Sequence, residues 1–389
     1  MSKLNVLFIT HETSRSGAPL LLLNYIKWLS ERDLVKPYIL IGRRDEIDGE
    51  FSKLGKVFYS YKPKNSIGKN IVFKIYVRFF NSPIGKNLFK YFLKLKLGFC
   101  KIDIIYSNTI CNGNDMNFLS FLRLNQICHV HEAEGVINMY GLENLNLVKE
   151  NTSNFIACSK FVKDGLVKRF NISDNNIELI YSSVSKSILI DAEKKNTTLN
   201  LINKNTNTFL IGGSGGLGYR KGTDLIVPLM KEVLKFRNDI CFVWVGGNKD
   251  SKDFTELQND ITINGLDNNI KIIGSVTNPI DYYTEFDVFT LLSREEPFGL
   301  VCLENALLEK PVLCFESIGG APELLDNCKE NIIPFLNLEK MANRIFYLMD
   351  NPYEANEIGK SLKKKVLENY TSEICFPMMY DIIQKFSKS

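Results

Sequence analysis

The sequence predicts an α/β protein made of two doubly wound, parallel-sheet domains of Rossmann-like architecture facing each other across a cleft. Three observations carry that expectation. A unit of apolar strand, glycine-containing loop and helix opens the chain at Leu4 and opens it again at Thr208. After each opening, apolar runs of strand length alternate with helix-length stretches, the order that parallel sheets require. At 389 residues the chain is longer than one ordinary domain.

In the first half, Leu4–Thr10 is an apolar run of strand length. The polar loop His11–Ala18 follows it, then Pro19–Leu29, apolar nearly all round and read as a buried helix with Pro19 in its first turn. Val35–Ile41 is the second strand, and Ile102–Ser107, Gln126–His131, Asn154–Ser159 and Ile177–Ser182 are further strands. Asp191–Asn207, rich in Lys, Asn and Thr, reads as the interdomain linker, so the expected domains are 1–195 and 196–371. In the second half, Thr208–Gly213 leads into a glycine-rich loop ending at Gly222 and a helix over Thr223–Phe236. Strands are expected at Cys241–Gly246, Ile270–Gly274, Phe286–Leu292, Pro311–Phe315 and Asn331–Phe335, with closing helices near Glu339–Met349, Ala355–Asn369 and Ser372–Phe386.

Composition is that of an ordinary globular protein, 45% hydrophobic and 24% charged, and the net charge of +4 is too small to imply nucleic acid by itself. Nine cysteines are scattered without a Cys-x-x-Cys pair, which fits small apolar packing in a reducing cytoplasm better than a zinc site. The N-terminus runs straight into a strand without a leader pattern, and no uncharged apolar run reaches the roughly 18 residues of a spanning helix. A cytoplasmic protein, peripheral at most to the inner face of the cell membrane, is expected.

One stretch is unusual. Residues 51–102 hold twelve Lys and Arg and no Asp or Glu, interleaved with Phe and Tyr. Ile71–Phe80 and Leu88–Leu97 read as basic amphipathic helices. Two readings stand side by side: a solvated face with its aromatic side in the core, or a patch for an anionic bilayer. A nucleic-acid surface is disfavoured because no aromatic-basic module of known type is present.

Chemistry gathers at three places. Gly213-Ser-Gly215-Gly-Leu-Gly218 is a literal G-x-G-x-x-G between strand and helix. The next strand ends Val245-Gly246-Gly247-Asn248, without the acidic residue that would hold a dinucleotide's ribose. The loop continues into Arg220-Lys221, two cations at a helix start, which suit a nucleoside diphosphate. The three histidines, His11, His129 and His131, could conceivably meet at a zinc ion, but His131 beside Glu132 and Glu134 reads better as a group that touches substrate. Glu296 and Glu304, with seven residues between them, flank Phe298-Gly299-Leu300 at a helix start whose N–H groups are free. Spacing alone leaves open a glycosidase-like pair or two grips on sugar hydroxyls.

The stretch Ser293-Arg-Glu-Glu296-Pro-Phe-Gly-Leu-Val-Cys-Leu-Glu304, with Pro311-Val and Gly319-Gly320-Ala-Pro-Glu323, resembles the E-x7-E region of retaining glycosyltransferases of family 4. Phe155–Ser159, Val243–Gly247, Gly274–Pro279 and Asp287-Val-Phe extend the resemblance, and the last helix, 372–389, is similar to the one that packs back on the N-terminal domain in that family. The resemblance implies the GT-B fold, an N-terminal acceptor domain and a C-terminal donor domain. It implies that Glu296, with the main chain of Phe298, Gly299 and Leu300, meets the donor sugar, and that Glu304 holds the ribose. Lys221 would neutralise the diphosphate, Gly17 would approach the donor phosphates, and His131 would lie near the reacting carbon. Three positions depart from the family. Gly216 stands where an arginine is frequent, and Arg220 is expected to supply that charge. Ser16 replaces the first of two loop glycines, and Ser182-Ser183-Val184 stands where Asn-Gly-Val is frequent.

The implied function is metal-independent retaining transfer of a sugar from a UDP- or GDP-sugar to a polysaccharide or lipid-linked oligosaccharide in cell-surface glycan biosynthesis. No cofactor beyond the donor substrate is expected, and no nucleic-acid partner. The alternatives are a nucleotide-dependent oxidoreductase, a sugar-nucleotide-binding protein without turnover and a GT-B epimerase acting without an acceptor.

Overall fold

The computed structural model describes residues 3–60, 83–194 and 208–387. They divide into two compact units, one of 1–158, 162–180 and 376–389, the other of 159–161 and 181–375. Residues 181–194, which composition assigns to the N-terminal side of the linker, group with the second unit. The Val184 N–H donates to the Tyr370 carbonyl (3.0 Å), the Ser372 N–H donates back to Val184 (3.0 Å), and Ile188 joins that unit's core. The last helix, Ser372–Ser387, leaves the second unit at Cys375 and continues in the first.

Among the described residues of the first unit, seven parallel strands form its sheet: β1 (Leu4–Glu12), β2 (Val35–Arg43), β3 (Lys56–Tyr59), β4 (Ile104–Ser107), β5 (Gln126–Val130), β6 (Asn154–Ala157) and β7 (Ile177–Leu179). Their order is β3-β2-β1-β4-β5-β6-β7. β1 lies between β2 and β4, with Val6 opposite Ile104 and Ile9 opposite Ser107. Buried on both faces, it is apolar throughout Val6–Ile9 rather than alternating. Tyr25 of the Gly17–Glu31 helix packs on Tyr106 of β4 and on Phe376 of the last helix, with ring centroids 5.8 and 5.1 Å apart.

β3 and the short Asp48–Leu54 helix before it are not apparent in the sequence. Lys-Val-Phe-Tyr is an edge strand whose Lys56 faces solvent while Phe58 is buried, so its apolar content is too low to stand out within a lysine-rich stretch. The expected helix at Ile71–Phe80 lies outside the described residues. The one at Leu88–Leu97 lies within the Pro83–Gly98 helix. Its inner side is aliphatic, through Leu93 and Leu97. Its aromatics Tyr91 and Phe92, and Phe99 just beyond, are exposed, contrary to the reading that places the aromatic side in the core.

Among its described residues the second unit has six parallel strands: β8 (Phe209–Ser214), β9 (Ile240–Val245), β10 (Ile270–Gly274), β11 (Val288–Leu291), β12 (Val312–Phe315) and β13 (Ile332–Ile333). Their order is β10-β9-β8-β11-β12-β13. The helix expected from Thr223 begins at Ile226, after two 3-10 turns at Tyr219–Lys221 and Thr223–Leu225. Gly222 separates the turns at φ +70°, and a Cβ there would lie 1.9 Å from the Leu292 carbonyl oxygen. Only glycine lets this loop approach the end of β11 so closely. Among the described residues no helix is long and apolar enough to cross a membrane.

Candidate active site

In an open α/β sheet, ligands bind beyond the carboxyl ends of the strands where the strand order reverses. In the second unit that point lies between β8 and β11. The loop after β8 carries Arg220 and Lys221; the loop after β11 carries Glu296. They meet there. The Lys221 ammonium forms an ion pair with Glu296 Oε2, and the Ser293 hydroxyl donates to the same oxygen (3.3 Å). Lys221 also runs beside Gly215, 3.5 Å from where a Cβ would stand, so the glycine-rich turn leaves room for the lysine stem.

Burial alone would raise the Glu296 carboxyl. Lys221 above all, then Arg220 and Ser293, more than offset it and hold the group below the ordinary carboxylate value. Glu296 is therefore ionised, which fits a grip on sugar hydroxyls and not a general acid. Its main chain is pinned on both sides. Its N–H donates to Ile318 (2.7 Å), and the Gly320 N–H donates to its carbonyl (3.2 Å). Gly319 makes this possible at φ +145°, because a Cβ there would lie 1.7 Å from the Glu296 oxygen.

Next comes the Leu300–Leu307 helix, entered through Gly299 at φ +87° with no side-chain cap. The N–H groups of Phe298, Gly299 and Leu300 donate to nothing among the described residues, as the first turn of an uncapped helix requires. Phe298 is buried between Tyr181 and Tyr370, each ring 5.3 Å away, which fixes the start of the helix. Glu304 is half-buried further along that helix. Burial alone pushes its carboxyl up to about 7, with no hydrogen bond to the side chain among the described residues to offset it.

A further arrangement went unseen in the sequence. Arg294 makes a two-pronged ion pair with Asp224 (2.8 and 2.7 Å), donates to the Tyr219 carbonyl (2.7 Å) and stacks on the Tyr219 ring at 3.8 Å. Its main-chain N–H donates to the Arg220 carbonyl (2.8 Å), and the Arg220 guanidinium donates to the Glu295 carbonyl (3.0 Å). The cation loop is thus stitched to the carboxylate loop on both sides of Lys221.

In the first unit the strand order reverses between β1 and β4. Gly17 opens the helix after β1. The Ser16 hydroxyl pairs with Ser14 (2.9 Å) and leaves that helix without a side-chain cap. Asn108 directly follows β4. Its N–H donates to Ile9 (2.9 Å), its side-chain amide donates to the Ala18 carbonyl (2.8 Å), and its Oδ1 lies 3.2 Å from His131 Nε2. His131 follows β5, and its ring lies 3.9 Å from that of His129. Burial pushes His131 down to about 3, and His129 well below its usual value, so both rings are neutral at pH 7.

Buried Glu132 accepts from Thr109, from the Ile110 N–H (3.2 Å) and from the His131 N–H (3.1 Å); burial nonetheless raises it to about 7. Asn108 and Thr109 went unremarked in the sequence. The available signal was a polar pair directly after an apolar strand, but that β4 pairs with β1 is a tertiary fact. Among the described residues no three His, Cys, Asp or Glu side chains come together as a metal site.

The structure therefore gathers Arg220, Lys221, Glu296, Phe298, Gly299, Leu300 and Glu304 along one edge of the second sheet. It gathers Gly17 and His131 at one edge of the first. Residues 195–365, nearly the whole second unit, match the family described as Glycosyl transferases group 1. Over that region, somewhat less than half of the chain, the second unit is similar to the group 1 glycosyl transferases.

Curated relatives agree. The chain is 26% identical over 154 residues to a poly(ribitol-phosphate) alpha-N-acetylglucosaminyltransferase of Staphylococcus aureus, covering 39% of this chain and 31% of the relative. It is 22% identical over 253 residues to the capsular polysaccharide biosynthesis glycosyltransferase CapM of Staphylococcus aureus, covering 65% and 64%. The matched region thus spans about a third to two thirds of those relatives' own lengths. Among solved structures, Anabaena HepE in complex with UDP and glucose superposes with TM-score 0.78 at 19% identity over 97% of this chain and 99% of that one. Sucrose-phosphate synthase from Thermosynechococcus elongatus gives 0.78 at 17% identity over the full length of both. At such identities these likenesses show the fold, which is GT-B.

Proposed function

We propose that the chain is a retaining glycosyltransferase that moves a sugar from a nucleoside-diphosphate sugar to a polysaccharide or lipid-linked oligosaccharide. The observation that carries this is the Lys221–Glu296 ion pair at the reversal point of the second sheet, with Arg220 beside it and the open helix start at Phe298–Leu300. A diphosphate suits the cations and N–H groups, and a sugar suits the ionised carboxylate. Glu304 grips the ribose hydroxyls.

As the bond from the anomeric carbon to the diphosphate oxygen lengthens, charge accumulates on the leaving oxygen. Lys221, Arg220 and the helix N–H groups are already in place to meet it, without a divalent ion. The sugar develops oxocarbenium character, and the acceptor oxygen bonds from the same face while its proton passes to the departing diphosphate. Glu296 orients the sugar, and Gly17 and His131 take part in the same reaction. The relative acting in capsular polysaccharide biosynthesis and the complex of HepE with UDP-glucose support a glycan acceptor and a nucleotide-sugar donor.

The test is transfer from a panel of UDP- and GDP-sugars, preselected by the rise in melting temperature each produces. Lys221→Ala and Glu304→Ala are expected to lower transfer at least about 100-fold while the protein stays folded. Near-normal turnover in either variant would refute the assignment, and a melting rise with NAD(P)H alone would favour the oxidoreductase reading.

We further propose that the first unit docks on an anionic bilayer through the Pro83–Gly98 helix. Leu88, Tyr91, Phe92, Leu95 and Phe99 are exposed there among Lys90, Lys94, Lys96 and Lys101. A lipid-linked acceptor gives such docking a purpose.

A further inference from the structure

Asn108 has a fixed orientation. Its Nδ2 must be the atom facing the Ala18 carbonyl at 2.8 Å, because a carbonyl can only accept. Oδ1 is then the atom 3.2 Å from His131 Nε2, and an amide oxygen also only accepts. The hydrogen in that contact has to come from the histidine. The rest of the ring's surroundings hold it in place. His129 lies against it at 3.9 Å and is itself fixed by a 2.7 Å hydrogen bond between its Nδ1 and the Tyr106 hydroxyl. The His131 main-chain N–H is held by Glu132. Among the described residues the His131 ring makes its hydrogen bond through Nε2, which leaves Nδ1 for a ligand.

We infer that Asn108 is a positioning residue that locks His131 as the Nε2–H tautomer, so that Nδ1 presents a lone pair to a hydroxyl group of the substrate. His131 then recognises its ligand as a hydrogen-bond acceptor and cannot supply a donor to it. The neutral ring that burial enforces agrees with this. Through Ala18, the same amide ties the histidine to the glycine-containing start of the first helix. That the hydroxyl belongs to a sugar rests on the proposed transfer reaction; the tautomer does not.

The chain has only three histidines, which makes histidine-selective 15N labelling of the full protein practical. His131→Gln identifies the His131 signals. In the wild type at pH 7, Nε2 is expected to resonate as a protonated nitrogen and Nδ1 as an unprotonated one. In Asn108→Ala, a folded protein should show the averaged nitrogen shifts of mixed tautomers and a kcat about tenfold lower, equivalent to about 1.4 kcal/mol. In Asn108→Asp, which keeps an acceptor, the Nε2–H form should persist. A protonated Nδ1 in the wild type overturns the inference without any variant. So does a folded Asn108→Ala protein that retains the single Nε2–H form or full kcat. If the tautomer is as stated but no nucleotide sugar is turned over, the inference stands and the proposed reaction fails.

Discussion

Glu296 and Glu304 show how one residue type acquires two behaviours within one segment. Glu296 sits against a lysine and is held ionised, whereas Glu304 has burial without a partner and rises to about 7. The raised value has a direct consequence for stability. Between the ordinary value of 4.5 and about 7 the folded protein holds a proton on Glu304 that the unfolded chain has released. Stability from this group is therefore full below pH 4.5 and is lost as pH rises towards 7. Glu304→Gln removes the penalty. Its melting temperature should exceed that of the wild type at pH 8 and converge with it near pH 4, with a gain of about 1–2 kcal/mol once partial exposure is allowed for. Equal melting temperatures across that range would show that the carboxyl is solvated. Under the proposed role of Glu304 as the grip on the ribose, the same proton competes with that contact, so donor affinity should weaken as pH falls below about 7.

At the scale of the element, the second site consists of two loops that diverge from neighbouring strands and are tied together again. Arg294 does most of that tying. Its pair with the half-exposed Asp224 is worth about 1 kcal/mol or less to stability. Its consequence lies in where it holds the loop. Arg294→Lys keeps the charge but loses the two-pronged geometry and the stacking on Tyr219. The expected result is a donor KM raised about tenfold with a melting temperature within a few degrees of the wild type. An unchanged KM would mean that the Gly222 approach and the main-chain bond to Arg220 suffice. Such tying was invisible in the sequence, since Asp224 and Arg294 are 70 residues apart.

For the whole molecule, the basic Pro83–Gly98 helix of the first unit carries the proposed docking on an anionic bilayer. If exposed apolar and aromatic side chains of the Pro83–Gly98 helix insert while its lysines meet lipid phosphates, the protein should sediment with anionic vesicles at low salt. It should be released as the Debye length shrinks to about 3 Å near 1 M salt. Replacing Lys90, Lys94 and Lys96 with Glu should abolish sedimentation and leave transfer to a soluble acceptor intact. Equal binding to neutral vesicles would remove the electrostatic explanation.

The sequence by itself determined the fold class, most strands and the residues of the candidate site in the second unit. These are local signals. A strand buried on both faces is apolar throughout, a glycine is needed where the main chain turns with positive φ against a close neighbour, as at Gly222 and Gly319, and the cation and carboxylate motifs are each contiguous. The tertiary structure alone decided which strands adjoin. It made β4 the neighbour of β1 and β11 the neighbour of β8, and so placed Asn108 beside Ala18 and Glu296 beside Lys221. It also revealed β3, hidden in a lysine-rich run, and separated the states of two glutamates that look alike in the chain. The physical reason is common to all of these: strand order, burial and ion pairing join residues far apart along the chain, and no local pattern encodes them.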